Sequence, residues 1–362
     1  MDFINQMQPT YGDEEKQAIV EYLNSGGWIM EFKKTREFEK MICDYTNSKY
    51  CSVVSNGTVS LFIALYALGI KEGDEVIVPN YTMIATPNAV KLCNADPVLV
   101  DIERESLCIN INEVKKKITK KTKAIMHVSI NGRSGNLDNL VDFCKKNNIY
   151  LIEDAAQSFG SFYKGKHLGN HGIIGCFSFS VPKIITTGQG GALITNDEEL
   201  YKKICKIKDF GRISSGVDIH DDWGWNFKFT DLQAVFGIEQ LKKINDRAKR
   251  KKEIYNLYKN RLSDVNEITF IKTDLNEVSP WFIDILVEDP KKLGEYLKEN
   301  KIGTRPFYPP ISDQIIYKNI NDDFPITKEV SYKGLWLPSF VSLTNEQINY
   351  ICDKIREFYK YN

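Results

Sequence analysis

Seven short apolar runs, separated by stretches long enough for helices, constrain what this chain can fold into. They are CSVV (51–54), EVIVP (75–79), PVLVD (97–101), KAIMHV (123–128), IYLIED (149–154), CFSFS (176–180) and GALIT (191–195). Most are apolar at consecutive rather than alternate positions, so the sheet they form is covered on both faces. Segments such as 59–68 and 137–146 have room for crossover helices, and strands joined that way run parallel. The pattern predicts an α/β fold: a large domain with a mostly parallel central sheet flanked by helices.

Two amphipathic helices precede the strands. Asp13–Ser25 starts with Asp13 as its cap, carries Ala18, Ile19, Tyr22 and Leu23 on one face, and stops at Gly26-Gly27. Thr35–Tyr45 repeats the spacing with Phe38, Met41, Ile42 and Tyr45. After residue 230 the rhythm changes. Residues 230–262 read as one long helix or two, followed by EITFI (267–271), WFIDILV (281–287) and two further helices. The expected division is residues 1–230, a large cofactor-binding domain with N-terminal helices, and 231–362, a long helix and a small α+β domain.

Composition excludes several classes. With 48 basic and 48 acidic residues the chain has no net charge that would draw it to nucleic acid or to an anionic membrane. The longest apolar run, 59–70, falls short of the roughly 20 residues that span a bilayer. The first residues, MDFINQMQPTYGDEE, lack the basic and apolar regions of a secretory signal. Eight scattered cysteines with no C-x-x-C fit a reducing compartment, and the expected location is the cytoplasm. Two basic runs, 115–123 and 247–252, read as solvated faces. His167 and His171 are four apart, but GKHLGNHG is too rich in glycine for a helix; the pair reads as loop surface, and no metal site is expected.

Three segments hold residue types suited to chemistry. Ser55-Asn56-Gly57-Thr58 lies between a strand and a helix, where free backbone N–H groups bind phosphate or where a plain N-cap turn sits. Glu153-Asp154 ends an apolar strand at the rim where α/β sheets carry their sites, although an acid there also caps helices. Lys183, in FSFSVPKIITTGQGG, follows another strand; it is either a buried amine of lowered pKa or a lysine snorkelling from a loop. Together a phosphate cup, a carboxylate and a lysine on one sheet edge are what pyridoxal 5′-phosphate requires: an anion site, a partner for its ring nitrogen and an amine for its aldehyde.

The motifs SNGT, GDEVIVP, EDAAQ, FSFSVPK and TTGQGG follow one another between GGWI near Trp28 and TRPFYP near Tyr308. In that order and spacing the chain resembles the DegT/DnrJ/EryC1/StrS family of sugar aminotransferases, fold-type-I enzymes of pyridoxal phosphate. The resemblance implies that Lys183 bears the cofactor, Asp154 pairs with its ring nitrogen and Gln157 lies near its hydroxyl. It implies a phosphate site at Gly57, Thr58 and Ser178, and an Asn226 donated by the neighbouring subunit of a homodimer. Where the family stacks an aromatic ring on the cofactor this chain has Met83; either Met83 covers the ring, or Tyr81 does, two residues away on the same face if the strand continues. Gln189 replaces a common Glu, and Phe210-Gly211 a common His-Gly. Trp28, His220, Arg305 and Tyr308 are candidate walls for the substrate.

The implied activity is amino transfer, with L-glutamate as donor, to a nucleotide-linked keto sugar, foremost a 4-keto-6-deoxyhexose giving a product such as perosamine or viosamine. Pyridoxamine 5′-phosphate is the intermediate form of the cofactor. Alternatives are a dehydratase using that same form, an aminotransferase for 3-keto sugars or cyclitols, and a catalytically silent binding relative. The family's dehydratases carry His at the position of Lys183, so the lysine points to amino transfer.

Overall fold

The computed structural model describes residues 2–214, 216–317 and 322–361. In chain order the first part holds α1 (Asp13–Asn24), α2 (Lys33–Thr46), β1 (Tyr50–Val54), α3 (Gly57–Ala67), β2 (Glu75–Pro79), α4 (Ala85–Leu92), β3 (Asp96–Val100), α5 (Ile111–Lys117), β4 (Thr122–Val128), α6 (Leu137–Asn147) and β5 (Tyr150–Asp154). A short hairpin follows, β6 (Phe162–Tyr163) and β7 (Lys166–His167), then β8 (Ile174–Ser178), β9 (Gly191–Thr195) and α7 (Glu198–Lys208). The chain continues through α8 (Asp231–Lys242), α9 (Ile244–Arg261), β10 (Thr269–Phe270), β11 (Ile283–Leu286), α10 (Pro290–Glu299), β12 (Arg305–Pro306), α11 (Pro325–Lys333), β13 (Gly334–Leu337) and α12 (Asn345–Tyr361).

Seven strands form the main sheet in the order β1-β9-β8-β5-β4-β2-β3. The pairs from β3 through β2, β4 and β5 to β8 are parallel. Only β9 runs against its neighbours, β8 and β1. Helix α3 shows why the sheet is covered: Leu61, Phe62, Ile63, Ala64 and Leu65 are all buried, so the helix is apolar around its whole circumference and lies inside the protein. A second sheet of four strands, β10-β11-β13-β12, is antiparallel and packs its own core with α9, α10 and α12. The architecture is the expected one: a mostly parallel sheet flanked by helices, with a smaller C-terminal α+β part.

Some local expectations shift. The run CFSFS pairs two residues earlier than expected, as β8 ending at Ser178, because the chain leaves the sheet there towards Lys183. Helix α1 is capped by Gly12 rather than Asp13; the buried Glu15 accepts the Gly12 N–H at 2.8 Å and pulls the start one residue upstream. Of the one or two helices expected over residues 230–262, two form, broken at Lys243. His167 is buried, not loop surface: the β6–β7 hairpin turns it against Tyr45, Phe159, Phe162 and Phe177. Its Nε2 accepts the Gly160 N–H at 3.1 Å, and burial drops the imidazole pKa to about 4. Six of the eight cysteines are buried small apolar groups and all eight are free thiols. No described helix is long and apolar enough to cross a membrane.

Candidate active site

Strand β5 buries Leu151 and Ile152 and delivers two acids at its carboxyl end. Successive side chains point to opposite faces. Glu153 turns away and accepts the backbone N–H groups of Gly169, His171 and Gly172 at 2.7, 2.5 and 2.6 Å, which makes it structural. Asp154 faces the other way and is buried. Its Oδ2 accepts the Thr86 hydroxyl at 2.7 Å and its Oδ1 the Ala156 N–H at 3.2 Å. Thr86 lies in the first turn of α4, with the Thr82 hydroxyl 2.8 Å away. Burial pushes the Asp154 carboxyl above the usual range, against Thr86, the Ala156 N–H and Lys183, which lower it. A buried carboxylate with so little compensation favours a cationic partner.

Lys183 lies in a turn after β8, its N–H donating to Ser180 O at 3.0 Å. Its Nζ stands 3.8 Å from the centroid of the Trp281 ring. Loss of water lowers the amine to about 7, with Arg305 adding to the effect and Asp154 opposing it. Near neutral pH the amine is therefore divided between its charged and nucleophilic forms.

The candidate anion cup lies where β1 turns into α3. Asn56 caps the helix, its Oδ1 accepting the Val59 N–H at 2.9 Å, and Gly57 and Thr58 open the first turn, where N–H groups point out of the helix. A Cβ on Gly57 would sit 2.8 Å from the Ser178 Cβ, so only glycine lets β8 come so close. Gln157 is fixed by its Oε1, which accepts the Asn131 N–H at 2.8 Å; the Asn131 amide in turn bonds both backbone groups of Phe282, at 2.8 and 2.5 Å. Ala156, Gln157, Ser178, Lys183 and Trp281 line one small cleft.

The other sequence candidates divide. Arg305, on β12, lies within electrostatic reach of Lys183, with its guanidinium 5.6 Å from the Tyr308 ring and 5.5 Å from that of Trp336. Tyr308 feels Asp154 and Arg305 and has its phenol raised by burial to about 12. Strand β2 stops at Pro79, so Tyr81 and Met83 lie on the loop beyond it and the same-face argument for Tyr81 lapses. Tyr81 is buried against Phe307 and Tyr308; Met83 is 46% exposed, with its carbonyl accepting the Thr86 N–H. Trp28, His220 and Asn226 are exposed, and no hydrogen bond, ion pair or ring contact among the described residues joins them to Lys183 or Asp154. Trp28 is nonetheless held in place: its carbonyl accepts the Tyr22 hydroxyl at 2.6 Å, and Asp231 accepts that hydroxyl and the N–H groups of Phe32, Lys34 and Thr35.

With this geometry in hand, the comparisons with known proteins are decisive. The profile of the DegT/DnrJ/EryC1/StrS aminotransferase family matches residues 9–356. The chain belongs to that family. A GDP-perosamine synthase of Escherichia coli O157:H7 is 38% identical over 99% of this chain and 99% of its own length. A second GDP-perosamine synthase, from Vibrio cholerae, is 33% identical, covering 97% of this chain and 98% of that protein. Spr1654 of Streptococcus pneumoniae, solved in a PLP form and a PMP form, superposes with a TM-score of 0.92 at 25% identity, over 100% of this chain and 99% of its own. As a DegT/DnrJ/EryC1/StrS enzyme this chain is an aminotransferase.

Sequence reasoning missed Thr86, Asn131 and Trp281. Thr86 sits in an ordinary helix start 68 residues from its partner. Trp281 belongs to an apolar run that reads as plain core. Their roles arise from contacts between distant segments, for which a single sequence carries no signal.

Proposed function

We propose that this DegT/DnrJ/EryC1/StrS aminotransferase uses pyridoxal 5′-phosphate to move an amino group from L-glutamate to a GDP-linked 4-keto-6-deoxyhexose, forming a 4-amino-4,6-dideoxy sugar of the perosamine kind. The observation that carries the reading is Lys183, an amine lowered to about 7, close to a buried carboxylate and under an indole ring. The names of the full-length relatives support GDP as the nucleotide and a 4-amino sugar as the product.

The residues present fit the cofactor. Gly57, Thr58 and Ser178 form a cradle that a Cβ would fill, suited to its phosphate. Asp154 is a buried anion in need of a cation, which a protonated ring nitrogen provides. When bound, the cofactor supplies an aldehyde and an electron-withdrawing ring. Lys183 would hold that aldehyde, and its amine, once released, would carry a proton to and from the reacting carbon. Thr86 holds Asp154 in line and Asn131 holds Gln157, and the half-exposed Met83, rather than the enclosed Tyr81, would be the side chain free to cover the ring. Arg305 and Tyr308 face the substrate, the guanidinium suited to diphosphate oxygens.

The protein acts as a homodimer, a reading supported by the exposed apolar side chains of Trp28 (61%) and of Trp223 (77%), which stands three residues before the exposed Asn226. The partner subunit would contribute its copy of the asparagine, and Trp28 and His220 stay separate candidate walls for the substrate. We also keep the division near residue 230 and the cytoplasmic location as parts of the proposal. The test is product analysis. Protein supplied with cofactor, L-glutamate and the GDP-keto sugar is expected to give a nucleotide sugar whose ketone has become an amine, with every hydroxyl retained. Loss of a hydroxyl with release of ammonia would overturn the reading in favour of a dehydratase.

A further inference from the structure

Two members of the basic run 247–252 are buried rather than solvated, Arg247 at 5% exposure and Lys251 at 1%, while Lys249 is exposed and Arg250 and Lys252 are half-buried. What the buried guanidinium touches is informative. Its Nη1 donates to Ile184 O at 2.9 Å and to Gln240 Oε1 at 2.7 Å, and its Nη2 to Thr10 O at 2.7 Å. Gln240 Oε1 also accepts the Thr186 N–H at 3.3 Å, while Gln240 Nε2 donates to the buried Glu15 at 2.7 Å. On the other side of the turn, Trp281 Nε1 donates to Pro182 O at 2.6 Å.

Pro182 and Ile184 are the two residues covalently joined to Lys183. The turn's own bonds fix its base: Lys183 N–H to Ser180 O, Thr187 N–H to Phe179 O and the Thr186 hydroxyl to Phe179 O. They leave the carbonyls on either side of Lys183 to donors from elsewhere, and both donors come from beyond residue 240. A buried guanidinium is costly unless its N–H groups are satisfied, and here they go to two backbone carbonyls and the Gln240 amide rather than to a close carboxylate; Glu15 is 4.0 Å away.

We infer that Trp281 and Arg247 are positioning residues for Lys183, a two-point clamp on its flanking peptides that sets where Nζ stands. The inference rests on the reading of Lys183 as the cofactor-bearing lysine. A lysine has a long, flexible stem, and a displacement of about 1 Å at a reacting group costs on the order of a hundredfold in rate.

The test uses the cofactor-loaded enzyme and the variants Trp281→Phe, which keeps the ring but removes the donor, Arg247→Met, and the two combined. Each single change is expected to lower kcat about tenfold with KM for L-glutamate within about twofold, and to move the pH midpoint of the visible cofactor band. The double variant should lose less than the product of the two, because both act through one lysine. Arg247→Lys, keeping one donor, should recover part of the loss. Lys183→Ala is the control: a visible band and turnover in that variant would sink the parent reading and the clamp with it. If Lys183→Ala loses both, but the clamp variants only lower the thermal midpoint and leave kcat and the pH midpoint alone, the clamp is overturned and the parent reading stands.

Discussion

At the scale of single residues, the site is a problem in buried charge. Asp154 is pushed up and Lys183 down by the same loss of water, so each is poised for a partner that restores or replaces its charge. Only the neutral amine attacks an aldehyde, and its fraction grows as pH rises through about 7, rather than through the ordinary lysine range near 10.5. The rate at which the cofactor-free protein takes up pyridoxal phosphate is therefore expected to rise with pH and level off above about 8; a rise continuing to pH 10 would contradict the lowered amine. Thr86 offers a second check. Thr86→Val keeps the shape but removes the donor at 2.7 Å from Asp154, and should lower kcat about tenfold through a carboxyl that is harder to ionise. Kinetics of that variant beside wild type decide the point.

At the scale of elements, the site is made by strand ends. Strands β1, β5 and β8 stop together; β5 ends in the carboxylate itself, and the helix start after β1 and the turn after β8 supply the candidate anion cup and the lysine. Gly57 is where two of these elements nearly touch. Gly57→Ala would force α3 and β8 apart, and it should weaken pyridoxal phosphate binding at least tenfold while leaving uptake of phosphate-free pyridoxal much less affected. Equal losses for both would assign the glycine to packing alone.

Much of this layer was legible in the sequence. EVIVP and GALIT pair over the very residues expected, because apolar β-branched runs bounded by turn residues have few other uses. Lys183 and Asp154 stand out as candidates because their strands end in short, motif-bearing turns. His167 and Arg247 were misread for one reason: a charged or polar residue in a polar segment looks solvated until the tertiary fold supplies partners for it. Those partners, the Gly160 N–H and the Ile184 carbonyl, are 7 and 63 residues away. Period and composition report local preference, whereas burial of a polar group depends on the whole fold.

At the scale of the whole molecule, two parts of one chain meet at the candidate site, and we propose that a second copy of the chain completes it. Trp281, Arg247 and Arg305 reach the Lys183 region from beyond residue 240, and the exposed Asn226 is assigned to the neighbouring copy's site. Shared sites predict complementation. Lys183→Ala and Asn226→Ala homodimers should each be nearly inactive, yet subunits exchanged at equal ratio should regain about a quarter of wild-type activity, since half the dimers are mixed and each carries one intact site. No recovery after verified exchange would place Asn226 in its own subunit's site or outside the chemistry.

The central claim is that Lys183 bears the cofactor and hands it to an amino donor. An absorption spectrum tests it most directly, taken on wild type and Lys183→Ala supplied with pyridoxal phosphate, before and after L-glutamate. The account predicts a visible protein-bound band in wild type that bleaches with glutamate and returns on adding the keto sugar, and no such lysine-linked band in the variant. A band that is absent from wild type, or equally strong in Lys183→Ala, would contradict it.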